Sequence, residues 1–559
     1  MDINYVGEHL WIGEIGNLFI ILSFVAALFA TISFFQATRL KDDSWEKLGI
    51  LGFRVHSVAA LTIIGLLFVM LANNYFEYHW VWSHSSSTMP MRYLLSAFWE
   101  GQEGSFLLWT FWHVVIGNVL IYIAKNWRRS VMTVVSSVQL FLASMILGVF
   151  IIDFKLGSNP FTQLLRDHPD FANLPMFANP NYLESLDGRG LNPLLQNYWM
   201  TIHPPITFLG YSLTIVPFAY AIAALWQKDY QGWFKPGLPW AYFGVTVFGT
   251  GIIMGGAWAY EALSFGGFWA WDPVENASLV PWLTLVGGAH LMMIFKNKGS
   301  SLLAAFVLII LSFILVLYST FLTRSGVLGE TSVHAFTDLG MSGQLLIYLL
   351  FYLFLAIGLI AWRYKDMPKS KSEDELWSRE FWMFVGALIL MIASFQIAFT
   401  TSIPVINKVF GTNMAPPANP VDHYNSWQLP FAVLTLIVMG FAIFLKYKQN
   451  QFVPFFKRIV GPIIAALIIT IGVGAALKMQ NPYYLMMLFA STFTVAGNLN
   501  YISSILNGRI KKAGASISHV GFGIVMLGAL ISMSSNEIIS SNTSGVDVTQ
   551  LGEDFKNNE

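Results

Sequence analysis

The sequence predicts an all-α fold, a polytopic transmembrane helix bundle of about fourteen spans. Three observations predict it. Of 559 residues, 55% are hydrophobic and 11% charged, against about 25% charged in a soluble domain. Apolar runs of the ~20 residues that a bilayer core requires recur along the whole chain. Basic residues gather in alternate connections, as the positive-inside rule demands.

The apolar runs lie near 15–37, 55–75, 104–124, 131–152, 206–226, 239–257, 279–295, 302–320, 343–362, 381–400, 429–446, 461–477, 483–506 and 514–534. If the odd-numbered connections are cytoplasmic, they hold 23 of the 31 Lys and Arg residues, and the other side holds 8. Both termini then face outside. Asp2, Glu8 and Glu14 precede the first run and no Lys or Arg precedes Arg39. A secretory signal opens on a basic segment, so this run is expected to be a retained helix. Residues 1–535 are expected to form one transmembrane unit, and 536–559 a polar extracytoplasmic tail.

The composition excludes a soluble multi-domain enzyme. Lys+Arg and Asp+Glu are equal at 31 each, and no basic excess points to nucleic acid. Cysteine is absent, so thiol chemistry here must use a partner's thiols. The outside connections 76–103, 153–205, 258–278, 321–342 and 401–428 are long and rich in Trp, Tyr, Pro and His. Surface chemistry is expected on that side.

The densest stretch, 258–282, is expected to be an outside loop. It carries Trp258, Trp269, Trp271 and Trp282, with Asp272, Glu275 and Asn276 among them. An interfacial aromatic belt explains tryptophans, but not the paired Gly266 and Gly267 or Asp272-Pro273. Glycines let backbone approach a flat ligand, and indoles stack on it. A ligand platform is therefore the reading taken.

His203 precedes the fifth span and His334 lies between the eighth and ninth, both outside. They are either ordinary loop histidines or the two axial ligands of one iron porphyrin at the platform. His290 and His519 lie inside spans. At 1.5 Å per residue they sit ~18 Å below the outer edge and ~9 Å above the inner one, at similar depth in a core of ~30 Å. Gly287 and Gly523 share their helix faces, leaving room for a macrocycle. Ionisable residues within spans are rare and functional, so bis-His heme is preferred to a histidine hydrogen-bonded to its neighbour. His113 is read as a packed core residue and His56 as a helix-end cation. His79, His84, His168 and His423 stand in outside loops with no supporting pattern. Arg324, in an outside loop, could pair with a propionate. Gly251 and Gly255 read as close helix packing.

GGFWAWDPVENAS followed by PWL resembles the tryptophan-rich "WWD" signature of heme-handling membrane proteins. IHPP at 202–205, TRSGVL at 323–328, VHAF at 333–336 and SISH at 516–519 resemble one branch of it, the CcmF-type heme lyases of cytochrome c maturation. The resemblance runs along essentially the whole chain, with the motifs in the family's order.

The resemblance implies a heme lyase of the bacterial inner membrane with an extracytoplasmic active site. His203 and His334 would ligate a transient substrate heme, with Arg324 beside it. Trp258, Gly266, Gly267, Trp282, Glu275 and Asn276 would hold it, and Asp272, Trp269 and Trp271 would serve catalysis. His290 and His519 would ligate a resident heme b that relays electrons. The implied partners are a heme chaperone of the CcmE type, thiol-handling partners of the CcmH type, apocytochrome c and membrane lipid, and no nucleic acid. Family members continue past the last of these spans into a soluble extracytoplasmic region and a last span, against which the tail 536–559 reads either as a truncated part of that region or as a short variant. Other readings are the paralogous lyase for nitrite-reductase-type cytochromes, and a heme exporter with His290 and His519 on its route. A proton pump is disfavoured, because Glu261, Asp272 and Glu275 stand at the rim rather than within spans.

Overall fold

The computed structural model describes residues 3–152, 154–262, 267–328, 340–368, 376–447 and 450–535. The described chain is almost wholly helical. In order come α1 (Leu10–Leu40), α2 (Asp43–Ala72), α3 (His79–His84), α4 (Met91–Glu100), α5 (Gln102–Ile123) and α6 (Arg128–Ser144). A two-stranded hairpin follows, β1 (Val149–Ile151) against β2 (Phe154–Leu156). Then come α7 (Tyr198–Gln227), α8 (Phe234–Ala262), α9 (Pro273–Lys298), α10 (Leu302–Arg324), α11 (Ser342–Arg363) and α12 (Arg379–Thr401). The last are α13 (Ile403–Phe410), α14 (Pro420–Phe441), α15 (Phe452–Ala476), α16 (Pro482–Asn500) and α17 (Gly514–Ser534).

Among the described residues, thirteen helices are long and apolar enough to cross a membrane. The protein is an integral membrane protein. The expected span at 131–152 differs from this set. It is realised as α6, 17 residues long, which packs between α1, α5 and α7. Gly148, at φ +66°, turns the chain out of it, and 149–152 enter the hairpin instead. The other correction concerns lengths. α7 starts at Tyr198 rather than near 206, because Asn197 accepts a hydrogen bond from the Trp199 amide at 2.9 Å and caps it there.

Prolines inside spans are tolerated because neighbours replace the lost amide donors. Pro204 withdraws the amide that would bond the Met200 carbonyl, and the Trp99 indole donates to it at 2.8 Å. Pro281 frees the Ala277 carbonyl, and the Ser319 hydroxyl donates to it. Pro462 frees the Arg458 carbonyl, and the Asn500 amide donates at 3.2 Å. Each substitution also ties two helices together.

The main core runs from α1 to α11 and reaches Ala387 of α12. A second cluster joins α14, α16 and α17, and a third fastens α9 to α12 and α14. His56 is fully buried in mid-helix, bonded through Nδ1 to Ser23 at 3.0 Å, and so corrects the reading of a helix-end cation. His113 is fully buried as expected.

One face is rich in loops. There the N-terminal residues, 73–101 and 157–197 build a small cap. Glu8 accepts from Arg166 at 2.8 Å and from the Tyr182 hydroxyl at 2.9 Å. His79, expected to lack a pattern, stacks on His168 with centroids 4.2 Å apart. Burial, and then His168 and His84 nearby, pulls the His79 pKa down to about 4. The unfolded ring binds a proton below about 6.5, and the folded one binds it only near 4. The unfolded state therefore holds more protons in that window, and the cap loses stability as pH falls through it. Amide protection over 76–84 and 163–171, corrected for the intrinsic exchange rate at each pH, is expected to fall from pH 7 to pH 4.5, so that the corrected opening rises. His79→Phe should flatten that rise, and an unchanged pH profile in the variant would contradict it.

Candidate functional site

The expected loop 258–282 is mostly helix. α8 continues to Ala262 and α9 begins at Pro273, so Trp258 lies on α8 and Trp282 on α9. The connection between them is only 263–272. Its second half is fixed by a reciprocal cap. The Asp272 carboxylate accepts from the Val274 amide at 2.8 Å. Glu275 reaches back and accepts from the amides of Asp272 at 3.0 Å and Ala270 at 3.1 Å. Pro273 suits the first helical position, where no amide donor is needed.

The cap holds Trp271 at φ +58°, a left-handed conformation that costs a side-chain-bearing residue roughly 1–2 kcal/mol. Three contacts offset it. The Asn276 side chain donates to the Trp271 carbonyl at 3.0 Å. The Trp271 indole donates to Asn425 at 2.9 Å, and its ring stacks on Tyr424 at 5.1 Å. Asn276 also reaches Thr401 at 3.1 Å, which meets the Tyr424 hydroxyl at 3.0 Å. Tyr424, Asn425 and Thr401 therefore belong to the site. Nothing in their sequence spacing marked them, because they reach Trp271 from α12 and α14 across more than a hundred residues. Asn425→Ala removes one hydrogen bond, about 1 kcal/mol, from a strained loop. Amide exchange over 268–276 is expected to rise several-fold, with α16 unchanged. Equal exchange in variant and parent would show that the bond does not hold the loop.

Trp269 stands edge-on to Trp271 at 5.9 Å. The buried indole nitrogens of Trp269 and Trp258 have no partner among the described residues. Buried donors are normally satisfied, so both leave hydrogen-bonding capacity at this rim for a ligand or water. Gly267 faces α17, where an added Cβ would stand 3.2 Å from the Met533 sulfur. Gly266 lies outside the described residues. Trp282 points away from the loop, donating to the Val245 carbonyl at 2.9 Å. It contributes to helix packing rather than to the rim.

His203 is not in a loop but in the first turns of α7. Its Nδ1 bonds the Gly251 carbonyl at 2.9 Å, which places the proton on Nδ1 and the lone pair on Nε2. This is the tautomer an iron-ligating imidazole needs, with a carbonyl fixing the ring. Trp258 stands edge-on to it at 5.8 Å. Gly251 and Gly255 admit this arrangement. A Cβ at Gly251 would meet Thr207 Oγ1 at 2.7 Å, and one at Gly255 would meet the His203 ring at 2.8 Å. The pair packs helices, as expected, and also seats the histidine. Glu261 accepts from Tyr198 at 3.0 Å and from the Trp199 indole, closing α8 onto α7. His334 lies outside the described residues.

Arg324 is not in a loop. It is the last residue of α10 and is buried, with its guanidinium 5.3 Å from the Phe106 ring centroid. That places it against α5.

His290 lies on α9 and His519 on α17. His290 Nδ1 bonds the Val286 carbonyl at 2.8 Å, again leaving the lone pair on Nε2. His519 Nδ1 is buried with no partner among the described residues. α17 rests mainly on α16, so α9 and α17 meet through side chains such as Trp282 and Phe522, 6.3 Å apart. Two imidazoles on helices that meet through side chains are a donor set that would fit a heme iron. The glycine argument does not hold. A Cβ at Gly287 would meet Leu308 at 3.1 Å, and one at Gly523 would meet Val495 at 2.9 Å. Both glycines serve helix packing away from the histidine pair.

The fold and this rim define a class, polytopic helical membrane proteins with a tryptophan-rich site at one face. Residues 99–329 match the family model described as cytochrome C assembly protein. The chain is 31% identical over 486 residues to the cytochrome c-type biogenesis protein CcmF of Haemophilus influenzae, covering 85% of this chain and 68% of that one. It is 29% identical to the cytochrome c-type biogenesis protein CycK of Bradyrhizobium diazoefficiens, covering 92% and 77%. The chain belongs to the CcmF family of cytochrome c-type biogenesis proteins. Its fold matches the solved structure of the cytochrome c heme lyase CcmF, with a TM-score of 0.72 at 19% identity, covering 94% of this chain and 77% of that one.

Proposed function

We propose that this protein is a heme lyase of cytochrome c maturation, working at the extracytoplasmic face of a bacterial inner membrane with both termini on that side. The observation that carries the reading is His203, its Nδ1 fixed by the Gly251 carbonyl and its ring against Trp258, in a chain of the CcmF family that also carries the capped Trp271-Asp272 turn. Substrate heme comes from a chaperone of the CcmE type. An apocytochrome c is presented by thiol-handling partners of the CcmH type. In each attachment a cysteine S–H adds across a vinyl C=C. Carbon–sulfur and carbon–hydrogen bonds form, with no net change of oxidation state.

The chain's residues position this reaction. His203, with His334, holds the iron from both faces. Trp258, Trp269 and Trp271, with Gly267, form the wall beside the macrocycle, and Gly266 would serve the same ligand. Asp272, Glu275 and Asn276 hold that wall through the cap. Arg324 acts from below the rim, as a packed cation rather than as a propionate clamp in a loop. His290 and His519 would hold a resident heme b. When bound, that group would supply one-electron exchange. The absence of cysteine leaves the substrate's thiols without an internal competitor.

In cells lacking their own lyase of this type but retaining the other maturation proteins, the chain is expected to restore c-type cytochromes. Covalent heme staining after denaturing electrophoresis reads this directly. Correctly inserted protein that restores none would overturn the reading.

A further inference from the structure

Beyond the rim chemistry, the opposite face holds a second feature. No Asp or Glu occurs between Asp422 and Glu537. In that stretch the face bears Lys446, Lys457, Arg458, Arg509, Lys511 and Lys512. Elsewhere on the same face some basic residues have carboxylate partners, while others, such as Arg39, Lys41, Lys47 and Lys125, have no ion pair among the described residues. Arg128 and Arg129 pair with Glu46, Lys228 and Arg363 with Asp366, and Lys298 with Glu380. Among the described residues no ion pair involves the six cations named. Topology alone asks for positive charge here, but it does not ask for charge without counter-charge.

A groove opens among these cations between α15 and α16. Its volume is about 560 Å³, with Lys457 and Arg458 at one edge and Asn500 and Ser504 at the other. Its floor is low because Gly461, Pro462, Ala465 and Ala496 line it. A Cβ at Gly461 would meet nothing within 4 Å. At the head of the groove the α16 chain widens into a π-helical turn, Tyr501–Ile505, a local irregularity common at functional sites. Lys457 and Arg458 lie within the first two turns of α15, at the level of lipid headgroups. The apolar floor continues along the spans, where acyl chains lie.

We propose that this groove is a binding site for one anionic phospholipid. Its phosphate lies against Lys457 and Arg458, and an acyl chain lies along Gly461 and Ala465. Charge complementarity favours a lipid over an acidic protein, because the groove is open to the bilayer and its floor is apolar. Basic pockets between helices at this depth are suited to such headgroups.

The test uses the full chain in nanodiscs, with phosphatidylglycerol and phosphatidylcholine of identical acyl chains competing, and glycerol phosphate as the soluble probe. Retained lipid is counted by native mass spectrometry. The parent should retain phosphatidylglycerol preferentially and bind no glycerol phosphate. A basic residue near the surface contributes on the order of 1 kcal/mol, so Lys457→Ala with Arg458→Ala should lower the preference about 30-fold. Gly461→Leu keeps every charge but fills the groove, and should lower it comparably. It also guards against misfolding of the double variant. Lys511→Ala with Lys512→Ala should have the smaller effect. The proposal fails if the parent shows no preference, if glycerol phosphate competes, or if Gly461→Leu retains the parent's preference. It also fails if the loop variant loses as much as the groove variant, because the field of the face would then suffice.

Discussion

His290→Ala and His519→Ala are each expected to leave the purified protein with little or none of the b-type absorbance of the parent. The two rings come from α9 and α17, which meet through side chains. Removing either one leaves a single axial ligand in an apolar setting. His290 is pre-set by its Nδ1 bond to the Val286 carbonyl, and an imidazole fixed in this way is the better ligand, by about 10–100-fold in metal affinity for such outer contacts. His519 Nδ1 has no such partner among the described residues, so a His519 variant disturbs no other bond. Loss of heme from His519→Ala with normal insertion thus reports ligation rather than unfolding. Both variants keeping the parent spectrum would remove the resident-heme assignment while leaving the rim site untouched.

Asp272→Ala is expected to abolish nearly all heme attachment at unchanged protein level, and Asp272→Asn to retain most of it. Loss of an N-cap acceptor costs about 0.5–2 kcal/mol, and Asn caps as well as Asp does. That is comparable to the strain of roughly 1–2 kcal/mol held in a left-handed Trp271. Without the cap, the conformation that turns Trp271 toward Tyr424 is no longer favoured over relaxed ones. Trp269→Phe and Trp271→Phe should give graded, several-fold losses, since a ring stack is worth about 0.5–1.5 kcal/mol beyond burial. The asparagine variant separates two roles. If it fails as completely as alanine, the carboxylate charge itself acts in the chemistry. If alanine assembles cytochrome c as the parent does, the platform model is wrong. A heme stain against an immunoblot for the protein reads all four variants.

His203 was visible in the sequence by its IHPP setting, but its place was misjudged. The apolar run begins only near 206, whereas the helix starts at Tyr198, and the Trp99 indole donates to the Met200 carbonyl that Pro204 leaves without a partner. Arg324 likewise falls past the apolar run that ends near 320, yet α10 continues through it. The Gly287 and Gly523 faces failed for a different reason. Spacing shows which residues share a side of a helix, but not which helix that side meets.

The sequence by itself determined the bundle, its spans apart from the one expected at 131–152, and the rim tryptophans 258, 269 and 271 with their Asp-Pro turn. These follow from hydropathy, charge bias and local capping, all of which act within one or two turns of chain. It also singled out the four histidines. Only the tertiary structure decided that Trp271 is held by Asn425 and Tyr424, that His203 is seated against Gly251 and Gly255, and that the helices carrying His290 and His519 meet through side chains. Those contacts join residues tens to hundreds of positions apart. They depend on which helix faces pack, and that is settled by the shape of whole faces rather than by any local run of residues.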